Sequence, residues 1–356
     1  LSANTTADNN TAIGLEALAA NTTGDRNVAV GAVALDANTT ADANTAVGYA
    51  ALSANTTAES NTAVGFNAML SNTTGAQNTA VGSVALDANT TATGNTAFGY
   101  SSLSATTTGD RNTALGWSAM SVNVDGDRGV AVGYAALQNQ EPSTASDTYN
   151  VAVGYSAANA ITTGLRNTAV GGLALDALTT ENDNTAIGYA ALSSEVSGFR
   201  NVAVGSQAGG AQNGGTNNTL VGYVAGGAIT TGDANTIIGS DAGDALTTGA
   251  ENVAVGQNAL GATTTAGNNV ALGKDALAAN TIGNTNVAIG TDAMTTNVAA
   301  DRNVAVGEQA LQNMTSATSA DTYNVAIGYN AGLSITSGLR NTAVGGLALD
   351  AQTTAT

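Results

Sequence analysis

Between Asn10 and Asn341 the chain opens one phrase, N-[TV]-A-V-G, 20 times, and the openings are 17 residues apart except at two places. Three consecutive copies read NTAVGYAALSANTTAES (44–60), NTAVGFNAMLSNTTGAQ (61–77) and NTAVGSVALDANTTATG (78–94). A unit this short cannot enclose a core alone, so successive units must stack and share one. Repetition therefore narrows the chain to a solenoid.

The two exceptions are 21-residue units at 129–149 and 303–323, which lie 174 residues apart. The segments that follow them match closely: SDTYNVAVGYSAANAITTGLRNTAVGGLALDA against ADTYNVAIGYNAGLSITSGLRNTAVGGLALDA. A ten-coil block has been duplicated on top of the shorter repeat. No linker or change of composition interrupts it, so we expect one continuous domain over 1–356, cut from something longer.

Taking the opening Asn as position 1, position 2 is Thr or Val in all 20 coils and position 4 is Val, Ile, Leu or Phe. Position 3 is Ala in 18, with Leu220 and Ile237 as exceptions, and position 5 is always Gly. Position 8 is Ala in 19 coils, and position 9 is mostly Leu or Met. β-Branched residues at alternate positions read as strand. A helix would lose about 1 kcal/mol at every Gly. The expected fold is all-β: a parallel β-solenoid of about 20 coils, each with two or three short strands turned at N-T-T-G. Stacked at about 4.8 Å, such coils would extend about 95 Å.

Strand side chains alternate between faces. Thr/Val and Val at positions 2 and 4 share one face, which we expect to line the coil. Ala and Gly at positions 3 and 5 share the other, which we expect to admit a second chain closely. Both faces are apolar, as in a strand covered on both sides, so self-association follows. The Asn at position 1, present in 19 coils, suits an amide ladder along the stack.

With a net charge of −18 the chain repels phosphate backbones, which argues against nucleic acid. It has no Cys for disulfides or thiolate metal sites, and no 18-residue apolar run for a membrane span. His is also absent, the glycines form no phosphate loop, and identical coils offer no unique pocket. We expect no enzyme activity and no cofactor. Calcium has weak support, because the DGD at Asp125–Asp127 lacks the ligand series of a calcium loop.

The phrases NVAVG (27–31, 201–205, 303–307) and NVAIG (286–290) resemble the S-V-A-I-G motif in heads of trimeric autotransporter adhesins of the YadA type. The tandem NTAVGYxAL…NTTG is also similar to repeats of tail-fibre proteins. The resemblance spans essentially the whole chain. It implies a left-handed β-roll, a homotrimer and attachment to extracellular matrix. The adhesin coil is shorter, near 14 residues, so three extra residues are expected in a turn or a third side.

Three sets of residues stand out as candidate contacts. Position 6 is aromatic at Tyr49, Phe66, Tyr100, Trp117, Tyr134, Tyr155, Tyr189, Tyr223 and Tyr329. Such a column suits either a sugar platform or a stacked ladder against a neighbouring chain. Position 17 carries Arg26, Arg111, Arg128, Arg166, Arg200, Arg302 and Arg340, suited to carboxylates of an adjacent coil or chain. The long coils insert Gln140, Glu141, Pro142 and Met314, Thr315, where a bulge in a uniform wall suits a specific contact. N-T-T at Asn4, Asn21, Asn38, Asn55, Asn72 and Asn89 matches a glycosylation sequon, which we read as the corner of the repeat.

The composite expectation is an extracellular fibre segment at a cell surface or on a virion: adhesin, appendage or tail fibre. Its expected partners are its own copies, with a host surface, matrix or glycan at its side. An ice-binding or carbohydrate-binding solenoid is the alternative, although Val replaces Thr at position 2 in nine coils.

Overall fold

A computed structural model describes residues 2–142, 144–315 and 319–351. The chain divides into two compact units, 1–182 and 183–356, and each is a parallel β-solenoid. Among the described residues each unit has ten three-residue strands at positions 2–4. They run from Thr11–Ile13 to Thr168–Val170 in the first unit and from Thr185–Ile187 to Thr342–Val344 in the second. No residue described is helical.

Register is strict. Thr45, Ala46 and Val47 pair with Thr62, Ala63 and Val64 of the next coil, and like stacks on like throughout each unit. A parallel ladder places each residue about 4.8 Å from its counterpart, so a 17-residue repeat gathers each position of the phrase into one column.

Most coils have one strand, not the two or three expected. The remaining sides still bond to their neighbours: Leu52 N–H donates to Ala68 O at 3.0 Å and Ala54 N–H to Leu70 O at 3.1 Å. They are turns because positions 7, 9 and 17 adopt positive φ, as in Ala50 (52°), Leu52 (51°) and Ser60 (61°). Left-handed residues so closely spaced prevent a continuous pleat. Among the described residues further strands form only around the long coils, where Ser146–Asp147 pairs with Gly126–Asp127 of the preceding coil and Ala320–Asp321 with Ala300–Asp301.

The two faces of the strand are the reverse of the expectation. Ala46, Ala63 and Ala80 at position 3 are fully buried inside their own coils, against Leu or Met of position 9 and Ala of position 8. Thr and Val at positions 2 and 4 lie outside and are half-exposed, as Thr45, Val47, Thr62 and Val64 show. Opposite a Leu or Met at position 9 the coil leaves room for no more than Ala at position 3, so Ala faces inward. The Ala face is therefore filled by the chain itself, and the uncovered apolar face is the Thr/Val one.

Position 5 requires Gly for a related reason. Gly48 has φ +141°, and a Cβ there would lie 2.2 Å from the carbonyl oxygen of Gly65 in the next coil. The space left by the missing side chain is occupied by the chain's own backbone.

The core conserves volume. Where position 9 becomes Gly226 or Gly243, position 3 enlarges to Leu220 or Ile237, and position 12 becomes Ile229 or Leu246, all fully buried. A Cβ on Gly226 would meet Ile229 Cδ1 at 2.7 Å and Leu220 Cδ2 at 2.9 Å. The two exceptions to Ala at position 3 thus fill the room that a missing Leu vacates, as close packing demands.

Two buried columns of Asn hold the corners. The position-1 ladder has the expected direction along the axis, but its main links run from side chain to backbone. Asn44 N–H donates to Asn27 Oδ1 at 3.0 Å, and Asn27 Nδ2 donates to Ala41 O at 2.8 Å. The second column, at position 12, includes Asn21, Asn38, Asn55, Asn72 and Asn89. Asn38 Nδ2 donates to Asn21 Oδ1 at 2.9 Å and to Ala41 O at 3.1 Å. Buried amides are tolerated where their hydrogen bonds are made; among these five, Asn89 Oδ1, at the end of its run, has no partner.

Candidate binding surfaces

The aromatic column stands on the outside of the coils, directly after the strand and its Gly. All nine rings are exposed, from 45% at Trp117 to 60% at Tyr155. In the first unit Tyr100, Trp117, Tyr134 and Tyr155 stack in succession, with centroids 6.0, 4.8 and 5.3 Å apart and planes within 13°. Tyr49 and Phe66 form a separate pair at 5.5 Å. In the second unit no ring stack occurs among the described residues; Ser206 and Ser240 flank Tyr223. Within the four-ring run the ring faces are turned on one another, so edges are offered to solvent. That geometry suits a ridge better than a row of sugar platforms.

Beside the rings, position 4 exposes Phe98 (56%) and Leu115 (39%). The outer wall of the strands is uncharged in every coil. It is an apolar strip without titratable groups, so its chemistry is contact.

Arg26, Arg128 and Arg302 at position 17 pair along the stack. Arg26 Nη2 reaches Asp42 Oδ2 of the next coil at 3.1 Å. Arg128 pairs with Asp147 and Arg302 with Asp321. In both long coils a tyrosine completes a triad: Tyr149 donates to Asp147 at 3.0 Å beneath the Arg128 guanidinium, and Tyr323 donates to Asp321 at 3.0 Å beneath that of Arg302. Sequence reasoning missed these triads, although the repeated D-T-Y after each insertion marks them.

The inserted residues are placed unlike the bulge envisaged. Gln140 is buried at position 12, the place that Asn123 holds in the preceding coil. Its Oε1 accepts from Asn150 Nδ2 at 2.9 Å. Met314 fills the same place in the second unit, fully buried, and Pro142 is buried as well. Glu141 accepts from Val124 N–H at 2.7 Å. Burial lifts its carboxyl above the ordinary 4.5, a rise opposed by that hydrogen bond and reinforced by the charge of Asp125. Of the five residues only Thr315 is exposed. Residues 143 and 316–318 of the insertions lie outside the described residues.

Five of the six sequon asparagines are buried; Asn4 alone is exposed. Asp125 Oδ1 accepts from the Thr108 hydroxyl, and Asp127 Oδ1 from Asp110 N–H. Among the described residues no group of three or more His, Cys, Asp or Glu could hold a metal. No described helix is long and apolar enough to cross a membrane. A groove of about 350 Å³ between Ser193, Gln207, Gly210 and Val224 is open and lined by small side chains without a charge. No family model matches the chain, and no curated protein matches it.

Proposed function

We propose that this chain is a structural repeat segment of an extracellular fibre, a surface adhesin, appendage or tail fibre, whose copies associate side by side. One observation carries the reading: in coil after coil the outward face of the strand is uncharged and half-exposed, while the inward face is already filled by the same chain. An apolar strip repeated along a solenoid invites a partner of the same periodicity, and a further copy is the simplest one. The resemblance to adhesin heads and tail-fibre repeats points the same way and suggests a trimer. The test is mass photometry with negative-stain electron microscopy. Elongated particles of two or more chains support the reading; a compact single-chain particle at all concentrations removes it.

A second reading, ice binding, draws support from one run. Thr45, Thr62, Thr79, Thr96 and Thr113 stack without interruption on the outer face of the first unit. Evenly spaced hydroxyls and methyls on a flat face could order water. A thermal-hysteresis assay decides it, and absence of activity sets it aside.

A further inference from the structure

The chain contains its own control for the aromatic ridge. Its coils recur 174 residues later, where the equivalents of Tyr100, Trp117 and Tyr134 are Lys274, Thr291 and Glu308, all exposed. Those coils form the same three-residue strands in the same register. A coil therefore closes equally well without a ring, and the four-ring stack is not needed to build the solenoid.

We infer that the ridge Tyr100–Trp117–Tyr134–Tyr155 is the place where a second copy of this chain docks, ring against ring. The inference rests on the side-by-side reading above and adds where along the face the contact is anchored. Size supports it. Aromatic side chains carry roughly 150–250 Å² each, so four half-exposed rings present roughly 400 Å². With Phe98, Leu115 and their neighbours the patch reaches roughly 600 Å² per copy, approaching the ~800 Å² per partner of a stable interface. A patch of that extent is at the upper end for an uncommitted monomer surface.

Chemistry selects the occupant. Around the rings, position 7 is Ser101, Ser118, Ala135 and Ser156, with no carboxylate at positions 6 or 7, and the nearby Asn159 amide already donates to Ala135 O and Gln138 Oε1. The Tyr and Trp edges with adjacent Ser have the composition of protein-binding surfaces. Charge then selects the register. With −18 on each chain, copies repel, and they meet most easily where the face is neutral. The ridge coils carry no charge at positions 2, 4, 6 or 7, whereas later coils place Asp241, Asp275, Asp292 and Glu308 at positions 6 and 7. Like charges facing each other there oppose contact, and a slide by one duplicated block would set rings against Lys274 and Glu308. The ridge thus tells two nearly periodic chains which coils belong together.

Trp117 is the only tryptophan, so its emission reports the ridge without a label. The full chain would be followed by sedimentation and by Trp117 fluorescence with acrylamide quenching over one concentration series. Association is expected to shift the emission to shorter wavelength and reduce quenching at the same midpoint. The variant Tyr100→Ser/Tyr134→Ser/Tyr155→Ser keeps Trp117 and uses the residue already found at Ser83 and Ser206; its midpoint should rise at least ~10-fold. The control Tyr189→Ser/Tyr223→Ser/Tyr329→Ser should leave the midpoint unchanged. A chain monomeric throughout would overturn both this inference and the side-by-side reading. Association that leaves Trp117 as quenchable as in the monomer, or that the ridge variant does not weaken, would overturn the anchor alone.

Discussion

Asn27 and Asn38 deliver their side-chain amide nitrogens to one carbonyl oxygen, that of Ala41, at 2.8 and 3.1 Å. The first comes from the start of the coil and the second from its far turn, so a single acceptor closes the loop from both sides. Both lone pairs of a buried carbonyl are used, and neither amide is left without a partner.

Asn38→Ala should therefore cost more than a surface change. It removes a donor from Ala41 O and from Asn21 Oδ1, and a buried acceptor deprived of its partner costs ~1–3 kcal/mol. Asn38→Leu should cost less, because the coil with Leu175 and Leu178 accommodates that packing naturally. Thermal melts followed by circular dichroism compare the two.

Gly48→Ala and Gly345→Ala separate contact from conformation. The added Cβ at 48 would sit 2.2 Å from Gly65 O, whereas at 345 nothing lies within 4 Å. Both need positive φ, so Gly345→Ala should cost the conformational part, ~1–3 kcal/mol. Gly48→Ala should exceed ~4 kcal/mol and expose neighbouring coils to limited proteolysis.

Asp87 and Asp176 give the fold a pH dependence of defined sign. Burial holds both carboxyls above their ordinary 3.8, against the opposing pull of backbone hydrogen bonds. A group whose folded-state value is raised binds its proton more tightly when folded, so its effect on stability is most favourable below 3.8. That advantage is lost as pH rises through the folded value. Asp87→Asn should raise the melting temperature at pH 7 and change it little at pH 3.

The long coils should prove to be held from within. Gln140→Ala breaks a buried bond to Asn150 and should cost ~1–3 kcal/mol. Tyr149→Phe loses two exposed hydroxyl bonds, one donated to Asp147 and a long one accepted from Arg128, and should cost under ~1 kcal/mol. Hydrogen exchange over 138–150 would rank them, and equal protection in both variants would contradict the assignment.

Adding a second ridge should lengthen the assemblies. Lys274→Tyr/Thr291→Trp/Glu308→Tyr would place a ring stack beside Tyr329, permitting contacts staggered by one block. Sedimentation should then show species that grow with concentration instead of reaching a plateau.

The repeat, its period, the parallel register and the Asn ladder were legible because each is a property of spacing. Which face turned inward was not. Alternation at positions 2–5 separates two apolar faces without ranking them, and the assignment depends on how thin the coil is. One signal was present: position 3 keeps Ala almost without exception while position 2 drifts between Thr and Val, and enclosed residues tolerate less drift in size. The buried Asn column at position 12 looked like an exposed turn, since N-T-T is turn chemistry wherever it occurs. The nine aromatic positions were legible as a column with gaps at Ser83 and Gly172, but not the face-to-face stacking of its rings, nor the Asp–Tyr–Arg triads.

Register by whole phrases has a consequence for how such a gene can change. If recombination removed residues 44–60, Asn61 would arrive where Asn44 had been, and its N–H would find Asn27 Oδ1 as Asn44 N–H does now. Every junction made would be of a kind already present. Loss of part of a coil from the strand side would set Gly against Val and Asn against Ala. Length is thus free to drift in steps of one coil while sequence within a coil is not, and the duplicated block is the record of a larger step of the same kind.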